Sequence, residues 1–163
     1  MQRKPIIGAI GASEPTEAGC AAAREVGRLI AEAGAVLVCG GLGGVMEAAA
    51  RGCAEAGGLV LGILPGTEAE QANPFVGIAV PTNMGHARNV IIAHTAQALI
   101  AVEGEYGTLS EIAIGLKLGR PVIALGTRYQ VEGMVDAASP AAAVRLAFAM
   151  LSAVAAERGS HGN

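Results

Sequence analysis

Two charged residues stand where the chain has little other reason to keep them. Arg88, in the run Asn83-Met84-Gly85-His86-Ala87-Arg88-Asn89, opens an otherwise apolar helical segment. The helix dipole does not favour a cation there, so its position points to a ligand or to a carboxylate partner. Glu111 falls in the first turn of a segment opened by Thr108. The dipole stabilises a carboxylate at that point, and a purely structural helix-start acid is as good a reading as a working one. Around these two lie two glycine-rich turns, Cys39 to Glu47 and Val102 to Glu111, each closing an apolar strand and opening a helix. Such a turn presents unpaired N–H groups and the positive end of a helix dipole, where an anion binds. Gly40, Gly41, Gly43 and Gly44 let the backbone approach a phosphate or take positive φ, and Gly104, Gly107 and Thr108 offer donors to another part of the same ligand. The alternative is that the glycines only make tight turns.

Other chemistries lack their patterns. Neither turn reads Gly-x-Gly-x-x-Gly or ends in Gly-Lys-Ser/Thr, so dinucleotide and triphosphate loops are not indicated. His86 and His94 have no cysteine or aspartate at ligand spacing. Cys20, Cys39 and Cys53 form no Cys-x-x-Cys pair and cannot all pair within one chain, which argues against a zinc site and a disulfide framework and fits a reducing cytoplasm. A net charge of −3 with no run of Lys or Arg argues against a nucleic-acid surface. No apolar run reaches the roughly 18 residues that a membrane span needs. The start, Met1-Gln2-Arg3-Lys4-Pro5, does not read as a cleavable signal.

The elements that must position these residues alternate. Strands are expected over Ile6–Ala12, Ala35–Cys39, Leu59–Leu64, Gly77–Pro81, Gln97–Val102 and Pro121–Leu125. Helices are expected from the Thr16 cap to Ala33, over Gly43–Ala56, Gly85–Thr95 and Leu109–Leu118, and from the Ser139 cap through Pro140 to Glu157. Pro65–Pro74 is a polar loop that either lies over a site or decorates the surface. A chain of 163 residues fits one domain, and 52% apolar content with only 2% aromatic fits a core of Ala, Val, Ile and Leu around strands covered on both faces. The fold expected is α/β, one three-layer domain over 1–157 with a mostly parallel sheet and a flexible tail at 158–163. In such a sheet the ligand crevice lies outside the carboxyl ends of the strands, where both glycine turns fall.

Four runs in order, Gly40-Gly41-x-x-Gly44-Val45-Met46-Glu47-Ala48, Gly57-Gly58-x-x-x-Gly62-Ile63-Leu64-Pro65, Ala87-Arg88-Asn89 and Tyr106-Gly107-Thr108-x-x-Glu111, resemble the Lonely Guy-like (SLOG) Rossmann superfamily. The likeness is to its branch of molybdenum-cofactor carrier proteins and DprA/Smf-related conserved proteins, and spans about Ile6 to Gly126. The resemblance implies a Rossmann-like fold. It also implies a pocket in which Arg88 and Glu111 match the catalytic pair of enzymes that hydrolyse the N-glycosidic bond of nucleoside 5′-monophosphates. The carboxylate would stabilise an oxocarbenium-like ribosyl centre or orient water, and the arginine would orient substrate and stabilise negative charge. Gly40, Gly41, Gly43, Gly44, Met46, Glu47, Gly104, Tyr106, Gly107 and Thr108 would line the ligand site.

The sequence departs from the enzymes where their Pro-Gly-Gly is here Glu103-Gly104-Glu105 and where the lysine after the arginine is Asn89. A carboxylate about 4 Å from a phosphate opposes binding by roughly 4 kcal/mol per pair of unit charges at an effective dielectric near 20. Alternatively, one of the acids occupies the anion site itself. The expected function is cytoplasmic binding of a phosphorylated nucleotide-like ligand, with no required cofactor and no metal; whether nucleoside 5′-monophosphate N-glycosidase activity accompanies binding is left open. The rivals are a non-catalytic carrier of the molybdenum cofactor, a pterin, as bound cargo, and a structural or regulatory oligomer with a degenerate pocket. A homo-oligomer, dimer or tetramer, without nucleic-acid or membrane partners is expected.

Overall fold

The computed structural model describes residues 3–160. Its strands are β1 (Ile6–Gly11), β2 (Val36–Cys39), β3 (Val60–Leu64), β4 (Ile78–Pro81), β5 (Ala98–Val102), β6 (Val122–Leu125) and β7 (Val135–Asp136). Its helices are α1 (Glu17–Glu32), α2 (Val45–Glu55), α3 (Arg88–Thr95), α4 (Tyr106–Lys117) and α5 (Pro140–Ser160). One sheet runs β4-β3-β2-β1-β5-β6-β7, and every pairing among the described residues is parallel.

The continuous apolar runs of the strands are explained by burial on both faces. Along β5, Ala98, Ile100 and Val102 join the core under α1, α2 and α5, while Leu99 and Ala101 join the core under α3 and α4. Along β2, Leu37 and Cys39 face the first core and Val38 the second. This makes three layers, as expected. The glycines of α1 and α2 let these two helices touch backbone to backbone: a Cβ on Gly27 would land on the Ala49 carbonyl, and one on Gly52 on the Arg24 carbonyl.

The differences from expectation lie at the ends of elements. α5 runs to Ser160 rather than to Glu157, and the rest of the expected tail, 161–163, lies outside the described residues. β7 has no counterpart among the expected strands. The loop Pro65–Pro74 contains a short 3₁₀ turn, Ala69–Gln71, and a second one, Gly85–Ala87, precedes α3. Among the described residues no helix is long and apolar enough to cross a membrane.

Candidate functional site

From β1 the chain winds outward through β2, β3 and β4, then returns to the other side of β1 and winds outward through β5, β6 and β7. The direction reverses between β1 and β5, and at such a point the crossovers diverge and leave a crevice at the carboxyl ends of the strands. A cavity of about 290 Å³ lies there, lined by Ile10 and Gly11 of β1, Gly40 after β2, Arg88 of α3 and Glu111 of α4.

Each functional side chain has a local reason for its place. Arg88 is the first residue of α3 and only 8% exposed. Its guanidinium packs against Gly40, where any Cβ would land on Nη1, and Met46 Sδ flanks the same spot. The absence of a side chain at Gly40 thus makes room for the guanidinium. Gly44, at φ 70, brings the β2–α2 turn against β1: Val45 donates its N–H to the Ala12 carbonyl at 3.0 Å, and a Cβ on Gly44 would strike the Ser13 carbonyl. Asn73, from the polar loop, fixes the same turn. Its Nδ2 donates to the Leu42 carbonyl at 3.0 Å and its backbone N–H to the Gly41 carbonyl at 2.8 Å. The loop thus supports the cavity wall without entering the cavity.

The opposite wall is tied in the same manner. Asn89, buried, donates from Nδ2 to Ser110 Oγ at 3.1 Å and to the Gly107 carbonyl at 3.4 Å, joining α3 to the first turn of α4. Glu111, 7% exposed, lies one residue beyond Ser110 in the second turn of α4, because the helix begins at Tyr106 rather than at Thr108 or Leu109; it is therefore not the helix-start acid the sequence allowed. Burial pushes its carboxyl up to about 8, with Arg88 pulling the other way. Burial likewise lowers the Arg88 guanidinium, which Glu111 and Cys39 oppose. The site therefore sets a buried guanidinium in the same cavity as a carboxyl that burial biases towards its protonated form.

Of the residues nominated from sequence, Gly40, Met46, Arg88, Gly107, Thr108 and Glu111 surround the cavity. Gly41, Gly43, Gly44 and Gly104 shape the adjoining turns. Two nominated side chains go elsewhere: Glu47 lines a separate hollow with Arg24 and Arg51, and Tyr106 is 80% exposed. Of the two unexpected acids, Glu105 lines the cavity, whereas Glu103 turns to the start of α1 and accepts from Thr16. Ser13 and His86 also line the cavity. A larger hollow of about 510 Å³ over α1 and α2 is lined by Arg24, Glu25, Arg28 and Glu55, which are already paired with acids or bases of their own surface.

The model of the SLOG cluster4 family matches residues 4–150. The chain belongs to the SLOG cluster4 family. This SLOG cluster4 protein is 53% identical over 138 residues to an uncharacterized protein of Archaeoglobus fulgidus, covering 85% of this chain and 91% of that one. Among solved structures it is similar to the molybdenum cofactor binding protein of Rippkaea orientalis, with 36% identity, TM-score 0.88 and coverage of 93% of this chain and 99% of that one. The molybdenum cofactor carrier protein of Chlamydomonas reinhardtii gives 36% identity, TM-score 0.83 and coverage of 92% and 99%. DNA processing protein A of Streptococcus pneumoniae, at 19% identity and TM-score 0.71 over 90% of this chain and 61% of that one, shares the fold alone.

Proposed function

We propose that this SLOG cluster4 protein binds the molybdenum cofactor as a carrier. The observation that carries this reading is the likeness, at 36% identity over nearly the whole of both chains, to proteins described as molybdenum cofactor binding and carrier proteins. The cavity suits such a ligand chemically. The buried Arg88 guanidinium has donors to give, and the N-termini of α2 and α4 carry no side-chain cap, leaving N–H groups for a phosphate. The test is incubation of the full chain with cofactor released from a molybdoenzyme, followed by gel filtration. Co-elution of pterin and molybdenum near one per chain is expected; cofactor eluting only as the free small molecule would overturn the reading.

The hydrolase reading is favoured by one observation, that Arg88 and Glu111 share the cavity. Against it, burial favours the protonated form of the carboxyl that such a reaction needs ionised, and the Asn89 amide is engaged by α4. Incubation with AMP between pH 6 and 9 decides it: release of adenine with ribose 5-phosphate would establish the enzyme.

Self-association belongs to the same proposal. Ile78 and Val80 on edge strand β4, with Met84 and Val90, expose apolar side chains that a second copy would cover. Light scattering at several concentrations reads this, and a monomer throughout would exclude it. A cytoplasmic location is part of the reading, since the cysteines Cys20, Cys39 and Cys53 are all free.

A further inference from the structure

Arg88 and Glu111 share a cavity and leave their hydrogen-bonding capacity unused. Both are more than nine-tenths buried, at 8% and 7% exposed. Among the described residues, however, neither side chain makes a hydrogen bond or an ion pair within 4.0 Å, and Arg88 Nε is wholly buried without a partner. Unpaired buried polar groups are rare in folded proteins, and a cation and an acid left apart in one cavity mark a place for something between them. Packing holds them apart. Gly40 and Met46 seat the guanidinium on one side, and the Asn89 amide, donated to Ser110 Oγ at 3.1 Å, sets the register of the α4 turn that carries Glu111 on the other.

A group that satisfies both must place an acceptor before Arg88 and a donor before Glu111, side by side. An ionised phosphate has no donor to give and would set its charge against Glu105 on the same wall. We propose that the gap takes the lactam edge of a heteroaromatic ring, the C(=O)–NH edge shared by pterins and guanine-type bases. The ring carbonyl accepts from Arg88 and the ring N–H donates to Glu111. A protonated Glu111 completes the pair by donating its O–H to the second lone pair of the same carbonyl, so no further charge is buried. The ring therefore points inward, and a phosphate on the ligand points outward to the uncapped N-terminal turns of α2 and α4. This deepens the carrier reading and rests on it only for which ring is cognate.

The test uses the full chain and calorimetric titration with 6-hydroxymethylpterin, its N3-methyl derivative, guanosine and N1-methylguanosine. The pterin is expected to bind, with N3-methylation weakening it about tenfold or more, as loss of a well-formed buried hydrogen bond does. Glu111→Leu should weaken the pterin by a similar factor, whereas Glu111→Gln, which keeps a donor and an acceptor, should stay within about threefold of the parent. The methylated ligand needs no variant, so a Glu111→Leu protein that fails to fold does not spoil the test. Pterin binding indifferent to N3-methylation and to Glu111 would overturn the lactam assignment while sparing the carrier reading. Guanosine binding sensitive to N1-methylation, with no pterin binding, would sustain the lactam edge and overturn the carrier reading.

Discussion

Glu103 is bound to Thr16: its carboxylate accepts the Thr16 backbone N–H at 3.0 Å and the Thr16 hydroxyl at 2.5 Å, while Thr16 Oγ in turn accepts the Gly19 N–H at 3.0 Å. The acid thus extends the N-cap of α1 and anchors the turn that leaves β5. It holds Glu103 at φ 52, in the left-handed region that side chains other than glycine rarely adopt. Glu103→Gln should cost about 1 kcal/mol in chemical denaturation, less when Thr16 is already alanine, and should leave ligand affinity unchanged. A change in affinity without loss of stability would show that the side chain faces the ligand.

Glu105 is the acid that does face the cavity. Glu105→Gln should tighten AMP or cofactor binding by about 1 kcal/mol at low salt, roughly fivefold in Kd, and by less at high salt, where exposed charges are screened. Equal titrations at both salts would place the charge outside the ligand's field.

The Glu111 carboxyl gives stability a defined pH dependence. Its folded value of about 8 lies above the ordinary 4.5, so the folded chain holds a proton that the unfolded chain has released. Its contribution is complete below pH 4.5 and is lost as the pH rises through 8. Arg88 and Cys39 are the ionisable groups that feel the same buried environment, and Cys39 is itself pushed by burial up to about 11. Urea unfolding of the parent and of Glu111→Gln should agree at about pH 5 and diverge at about pH 9, with the variant more stable by a few kcal/mol, on the order of 1.4 per pH unit crossed. Parallel curves at all pH values would show that the carboxyl ionises normally.

Gly107 lies within α4, has no positive φ, and would meet nothing within 4 Å if it bore a Cβ. Neither backbone geometry nor packing therefore requires glycine there, which fits the close approach of the proposed ligand. Gly107→Ala should stabilise the protein by about 0.5–1 kcal/mol through helix propensity while weakening ligand binding. A variant that binds as tightly as the parent would make the glycine incidental.

Much of the fold is legible in the sequence because parallel strands buried on both faces are continuous apolar runs, and glycine marks their turns. β7 is not, since Val135–Asp136 has no apolar run and is a strand only through its pairing with Ile123 and Ala124. Arg88 and Glu111 stand out because each is a charge in an apolar setting. Glu47 and Tyr106 are misplaced by sequence because motif position does not tell which side of a helix's first turn meets the cavity. Asn73 and Asn89 give no sign of their roles: the partners of their amides come from remote segments. The two acids look equivalent in sequence, and it is the turn between them, with positive φ at both Glu103 and Gly104, that sends them in different directions.

The backbone contact between α1 and α2 through Gly27 and Gly52 has a mechanical side. Two helices with no side chains between them at these crossings cannot slide or spread without prising peptide groups apart, so they act as a single stiff beam. The turns at the heads of both helices, which carry Ser13 and Gly40 into the cavity, therefore form one fixed jaw. The facing wall is braced differently: α3 and the head of α4 are joined by the hydrogen bonds of one amide, that of Asn89, so the proposed ligand's fit is expected to respond more to changes on that side than to changes in α1 and α2.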